Sequence, residues 1–386
     1  LILSFNTSDQ HDFIRFTSRE ENMHYETDIL IIGAGQAGLA LAYHLKSTAL
    51  RYQLVERNAQ IGDSWRNRYD ELTLFTPRSF SALPGLALQG DPKGYATRDE
   101  FADYLDRYAS HFEFPIHLNQ EVCLLKQVEG GFQTMTEAGD SFSSQIVVLA
   151  TGPFQKPKIP TIGKNFAPEI GQFTPETYRN AAQIPIGTVL VVGDGASGRD
   201  IAGELARTHP VLLATGRSRR LLPEKVLGKS VWWWLDKLGV MRVSAQSALG
   251  QYMRRVDPFP ARGNRLSDLQ GKGVQVQKSL VEVNGKTVRF SSGDTAQVDS
   301  VIWATGYQDH SDWVAIPEVK DGEGNFIHEA GISPVKNLYF IGRSWQRTRG
   351  SALITGVGED ALYLTKHILQ TCDISRADQV SQEFIS

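Results

Sequence analysis

The 386-residue chain has only two cysteines, Cys123 and Cys372, widely separated in sequence. They form no C-x-x-C, which excludes a redox dithiol of that type and a zinc knuckle. The nine histidines are scattered. With no H-E-x-x-H and no metal-spaced pair, no metal site is expected. A run of 18 apolar residues is also missing, so no spanning helix is expected. Charge of one sign is lacking too. Lys and Arg number 40 against 43 Asp and Glu, a net of −3, which gives no general reason to expect nucleic acid or an anionic membrane as a partner. The first 26 residues are polar and mixed in charge, without the basic start and apolar centre of a secretion signal. Residues 1–26 are read as an N-terminal extension, and the protein as cytoplasmic.

Glycine, by contrast, is abundant at 35 residues. The stretch DILIIGAGQAGLALAYHL, Asp28 to Leu45, shows why. The apolar run Ile29 to Ile32 reads as a buried parallel strand. It leads into Gly33, Gly35 and Gly38, spaced G-x-G-x-x-G, and Ala37 to Leu45 reads as the following helix. Gly33 permits a tight turn, Gly35 lets a pyrophosphate approach the backbone, and Gly38 lets helix and strand pack closely. The helix start offers free N–H groups and a positive dipole end to phosphates. A second apolar strand then ends at Glu56, 23 positions after Gly33, where an acid can bind a ribose hydroxyl.

The segment after Arg57 is loop-like, yet it carries Trp65, Tyr69, Phe75 and Phe80. Asp99 to Phe112 has helical spacing, with Phe101, Tyr104, Leu105 and Tyr108 on one face. Short strands are expected at Val122 to Gln127, Gly131 to Thr136, Ser141 to Ser143 and Ile146 to Ala150.

The opening device then recurs. TVLVVGDGASGRDIAGELA presents a strand, Val189 to Val192, then Gly193, Gly195 and Gly198, then a helix. No acid stands where Glu56 did. That place falls on Gly216 and is followed by Arg217, Ser218, Arg219 and Arg220. An arginine here suits the 2′-phosphate of NADP, and a charge-assisted bond of that kind contributes about 1.5–3 kcal/mol. Both halves also end a buried strand in Ala-Thr-Gly, with Thr151 lying 118 residues after Gly33 and Thr305 lying 112 after Gly193. Two dinucleotide sites in one chain point to electron transfer between a flavin and a nicotinamide. Between the halves, an insertion at about 225–265 reads as one or two helices. Trp232, Trp233 and Trp234 cannot all face one side of it. In the closing helix Ala361, Leu362, Thr365, Ile368 and Leu369 fit one buried stripe.

Over roughly residues 27 to 370 the sequence resembles the flavin-containing monooxygenase family, especially its short bacterial members. The resemblance rests on GAGQAG, on GDSW followed by RYDELTLFTPR, on both ATG segments, on GDGASGRDIA and on RGSALITGVGEDA. It implies an α/β fold of glutathione-reductase-like architecture with two Rossmann-like dinucleotide-binding domains. The FAD domain is discontinuous, 27–155 and 300–386, leaving at Gly152 and returning near Ala304, with the NADPH domain, 156–299, inserted. Gly33, Gly35, Gln36, Ala37, Gly38, Glu56, Arg57, Ser64, Trp65, Arg66, Val122, Ala150, Thr151 and Gly152 then stand as FAD contacts. Gly193, Gly195, Ala196, Ser197, Gly198 and Arg217 stand as NADP contacts.

Two departures accompany the resemblance. The family's fingerprint before the second Rossmann strand has Gly and His where this chain has Pro168 and Gln172, or Thr174 in another alignment. Its Asn near the flavin is replaced by Phe75. These changes loosen the expected nicotinamide selectivity, leaving NADH open beside NADPH, and put tight coupling of NADPH use to oxygenation in question. The implied activity is insertion of one oxygen atom from O2 into a small sulfide or amine through a flavin hydroperoxide. No side chain is assigned as catalytic acid or base, because the flavin carries the chemistry, and Phe75 is its candidate neighbour. Baeyer–Villiger oxidation of ketones, and a reductase passing electrons to a protein or quinone, are the alternatives. The expected partners are O2 and a small molecule, with a homodimer left open and neither nucleic acid nor membrane expected.

Overall fold

The computed structural model describes residues 22–216, 220–256, 258–351 and 353–383, with side chains in the closing helix described through Cys372. Two sheets organise the chain. The first has seven strands. His24–Ile32 lies at its centre, flanked in parallel by Tyr52–Val55 and Ser141–Leu149. Tyr52–Val55 pairs outward with Ile116–His117. Ser141–Leu149 changes partners along its far edge. Its first half runs antiparallel to Gly131–Thr136, and its second half runs parallel to Leu338–Phe340. The two short strands expected at 141–143 and 146–150 are therefore one strand, because this edge needs both halves to close the sheet.

The second sheet is all parallel, in the order Gly171–Phe173, Ser300–Trp303, Val189–Val192, Val211–Ala214, Gln275–Gln277. The boundary at 300 assigns Ser300–Trp303 to the first unit. That strand pairs with Val189–Val192 instead, so the chain returns to the first unit after Trp303. The two crossings between units, Lys156–Pro157 and Tyr307–Gln308, lie side by side as an antiparallel pair.

Local chemistry accounts for these elements. Ile29, Leu30, Ile31 and Ile32 are at most 4% exposed, as a strand covered on both faces requires. The helix Arg98–Phe112 opens with a capping box. Glu100 N donates to Thr97 Oγ1, and Thr97 N donates to the Glu100 carboxylate. Its whole aromatic stripe, Phe101, Tyr104, Leu105 and Tyr108, is buried. In the closing helix, Ile354–Glu383, the buried residues include Ile354, Val357, Asp360, Ala361, Leu364, Thr365 and Ile368. Leu362, expected in that stripe, is 41% exposed, since one residue past Ala361 turns it about 100° away from the core.

Two further expectations are revised. The end of the supposed N-terminal extension, His24 to Glu26, pairs with Ser141 to Ser143 and so belongs to the sheet. The loop after Arg57 contains a short helix, Asp63–Arg66, and a strand, Thr73–Pro77, paired with Tyr95–Thr97. The tryptophan insertion, read as one or two helices, forms two, Val231–Lys237 and Ala248–Val256.

Candidate active site

Both glycine turns are built alike. Gly33 has φ +106°, and a Cβ there would meet the Ala150 carbonyl oxygen at 2.8 Å. Its N–H is held by the Val55 carbonyl at 2.8 Å. A Cβ on Gly38 would overlap the Gly33 carbonyl oxygen. Gly193 repeats this with φ +103°, its N–H on the Ala214 carbonyl at 2.9 Å, and Ala304 in the place of Ala150. Gly198 closes on Gly193 as Gly38 does on Gly33. Each turn is thus pinned by the Ala-Thr-Gly strand end beside it.

Gly35 and Gly195 open the helices Gln36–Leu45 and Ala196–Leu205, and neither start carries a side-chain cap. A Cβ on Gly35 would meet nothing within 4 Å. Helix N–H groups facing open space form a fitting cradle for a pyrophosphate. Ala37 is buried and Gln36 accepts from Trp65 Nε1 at 3.1 Å, which holds Trp65 against the first helix start. Phe101 meets the Trp65 ring edge-on at 5.0 Å.

Glu56 stands at the mouth of the first turn. Its carboxylate accepts from Ala34 N at 3.0 Å and from the side chain of Asn58 at 2.6 Å. These bonds aim the carboxylate and leave acceptor capacity for a ribose hydroxyl. Thr151 and Gly152 end the neighbouring strand. Gln155 Nε2 donates to both Thr151 Oγ1 and the Gly152 carbonyl at 2.8 Å. Arg343 donates to the same carbonyl at 3.1 Å and grips Asp309 at 2.6 Å.

The remaining expected contacts differ in their surroundings. The Arg66 guanidinium is taken up by Asp63, Asp103 and the Ile61 carbonyl, so it anchors the loop. Arg57 and Ser64 are exposed. Val122 begins its strand and packs half-buried on the core that contains Ile32 and Val55. Ala196 is exposed and Ser197 half-buried at the second helix start. Arg217 lies outside the described residues. Gln172, at the family's His position, accepts from Trp303 Nε1 at 2.9 Å and donates to the Gly163 carbonyl. It therefore braces the second sheet.

Several pairings that sequence reading missed join the two units or brace the second. Tyr69 is 2% exposed, and its hydroxyl donates to Asp200 at 3.2 Å. Asn264 Nδ2 donates to the other Asp200 oxygen at 2.6 Å. Burial chiefly raises the Asp200 pKa, and burial followed by the Asp200 charge raises that of Tyr69. Arg199, next along the helix, binds Asp194 and the Asn264 carbonyl, each at 2.9 Å. No local signal marks such pairs, because their members are up to 131 residues apart. Trp232 Nε1 donates to the Phe75 carbonyl at 2.9 Å, with the two rings 5.9 Å apart. A cavity of about 710 Å³ lies beside the crossing strands, bordered by Tyr307, His328, Arg343 and Trp345. His328 is held down at about 4 by burial and then by Arg343, so it is neutral at pH 7. Among the described residues no cluster of His, Cys, Asp or Glu could hold a metal.

The sequence profile of the pyridine nucleotide-disulphide oxidoreductases matches residues 30–224. A CzcO-like oxidoreductase of Geobacillus kaustophilus is 45% identical over 90% of this chain and 99% of its own. The chain belongs to the pyridine nucleotide-disulphide oxidoreductase family. This oxidoreductase is also 25% identical to the probable indole-3-pyruvate monooxygenase YUCCA1 of Arabidopsis thaliana, over 84% of this chain and 86% of that one. In fold it matches the flavin-containing monooxygenase of Stenotrophomonas maltophilia, with TM-score 0.76 and 21% identity over 90% and 99% of the two chains. It is a flavin-monooxygenase-like enzyme, and its family implies a flavin and NAD(P)H. The two cradles fit such nucleotides on their geometry alone.

Proposed function

We propose that the oxidoreductase is an FAD-dependent, NAD(P)H-oxidising monooxygenase acting on small soft nucleophiles, sulfides or amines. The observation that carries this reading is the pair of like-built glycine turns, the first with an acid, Glu56, 23 residues on, the second with Gly216 at that place. That asymmetry suits an FAD ribose at the first turn and a phosphorylated ribose at the second. FAD would supply the redox and oxygen chemistry when bound.

The chain's own residues position and shield. Gly33 to Gly38 hold the pyrophosphate, Glu56 the adenosine ribose, and Trp65 walls the first helix start. Gly193, Gly195, Ser197 and Gly198 hold the second nucleotide, with Arg217 selecting its 2′-phosphate. Phe75, backed by the buried Trp232, would present an apolar face that excludes water. Neither residue can donate or accept a proton from its ring carbons, in keeping with a reaction that needs no protein acid or base at that wall.

The test is stoichiometric. Purified yellow protein is given NADPH, O2 and a small thioether, and product mass, oxygen use and released peroxide are measured together. Sulfoxide formed close to one per NADPH supports the proposal. Quantitative peroxide, or turnover only with a quinone or protein acceptor, would replace it with the reductase reading.

A further inference from the structure

The segment from Arg220 to Val256 carries seven Lys and Arg against two Asp and Glu, inside a chain of net charge −3. Its outer part is a hairpin, Lys225–Val226 with Lys229–Ser230, followed at once by the helix Val231–Lys237. The hairpin turns on Leu227 and Gly228, whose φ angles are +49° and +74°. A two-residue turn with both φ positive selects Asn, Asp or Gly, because a Cβ is crowded there. Leu227 occupies the first place and is 85% exposed. It strains the turn and buries almost nothing within the chain, so folding alone does not account for it.

Apolar groups gather around this tip. Trp234 Nε1 donates to the Val226 carbonyl at 2.9 Å, and Trp233 meets Trp234 edge-on at 4.8 Å. Leu238, one helical turn beyond Trp234, is 70% exposed. The Lys229 ammonium sits 5.7 Å over the Trp233 ring, and Lys225 and Lys237 are exposed nearby in the same knob, with Glu224 and Asp236 as its two exposed acids. The other side of the helix is fixed, with Trp232 only 3% exposed and tied to Phe75. The knob is therefore anchored inward and apolar outward.

We propose that this knob docks the protein on an anionic lipid surface. Leu227, Trp233, Trp234 and Leu238 would enter the boundary between headgroups and acyl chains, where indole rings are favoured. Lys225, Lys229 and Lys237 would lie among the lipid phosphates. Charge decides between occupants. A two-fold contact with a second copy would bring the basic surplus of both segments together, whereas an anionic surface complements it. No helix among the described residues is long and apolar enough to cross a membrane, so the contact is peripheral. The near-neutral charge of the whole chain conceals this local surplus.

The full-length protein, with its bound cofactor, is floated with phosphatidylcholine vesicles that contain or lack phosphatidylglycerol. Binding to the anionic vesicles only, falling roughly tenfold at high salt, is expected. Leu227→Asn suits the turn better and should keep or raise the melting temperature, while lowering the bound fraction roughly fivefold. Charge reversal of Lys225, Lys229 and Lys237 should abolish binding. The proposal is overturned if the protein floats with neither vesicle, or if Leu227→Asn and the charge reversal bind as the parent does. It is equally overturned if light scattering shows a dimer that Leu227→Asn dissociates while no vesicle is bound, which would assign the knob to a second copy.

Discussion

Tyr69 reaches out of the first glycine unit and donates its hydroxyl hydrogen to Asp200 at 3.2 Å, on the helix that begins at the second glycine turn. The contact is buried in the core of the second unit, beside Val191 and Ile201. Tyr69 follows Trp65 by four residues, just past the short helix Asp63–Arg66, so one short segment touches both cradles. The same segment is held by Arg179, which donates to the Arg68 carbonyl at 3.1 Å, and by Arg262, which donates to the Thr73 carbonyl at 3.0 Å.

Tyr69→Phe should therefore change how the two nucleotides face each other more than how tightly either is held. A hydrogen bond to a carboxylate is worth about 1.5–3 kcal/mol. The rate of flavin reduction by NADPH, measured without air, should fall roughly tenfold. FAD affinity should stay unchanged. An equal loss of FAD binding would show that the pair serves folding only.

Gly33→Ala should be severe. The backbone there sits at φ +106°, and the added methyl would press on the Ala150 carbonyl at 2.8 Å. Strain plus overlap should cost about 2 kcal/mol or more. Protein recovered from this variant should be colourless and melt several degrees lower, whereas Gly216→Ala, where a Cβ meets nothing within 4 Å, should be mild.

Asp360 should make stability depend on pH. Burial pushes its pKa up to about 6, with Ser351 and Arg347 opposing the rise. The folded state thus holds a proton that the unfolded chain releases near pH 4. Asp360 favours folding fully only below that value, and the contribution fades as pH rises through 6. Roughly two units correspond to about 3 kcal/mol. Asp360→Asn should flatten the melting temperature between pH 4 and 6. If the slope persists, other groups cause it.

Arg217→Ala should weaken NADPH selectively, by about tenfold for one lost charge-assisted bond. NADH should be unaffected. Equal losses for both nucleotides would remove Arg217 from the 2′-phosphate.

Phe75→Asn tests the wall beside the proposed flavin. Phe75 is 37% exposed, so an Asn can enter without burying an unpaired amide. The share of NADPH oxidation that ends as free peroxide should drop. An unchanged share would place Phe75 away from the reacting centre.

Much was readable in the sequence because it depends on near neighbours along the chain. The glycine turns follow from a tight bend and a helix start within six residues, and Glu56 from one strand further on. The buried stripe at Phe101, Tyr104, Leu105 and Tyr108 follows from helical periodicity. Where periodicity was extrapolated without knowing the facing element, as at Leu362, it failed. What only the tertiary structure decided are pairings between distant segments. Ser300–Trp303 joins the second sheet because Val189–Val192 offers it a parallel edge. Arg66 and Gln172 become braces because Asp103 and Trp303 lie within hydrogen-bond reach. Tyr69 finds Asp200, and Trp232 finds the Phe75 carbonyl, only once both sheets are folded. Such bonds depend on angles and distances of a few ångströms, and no spacing along one strand or helix encodes them.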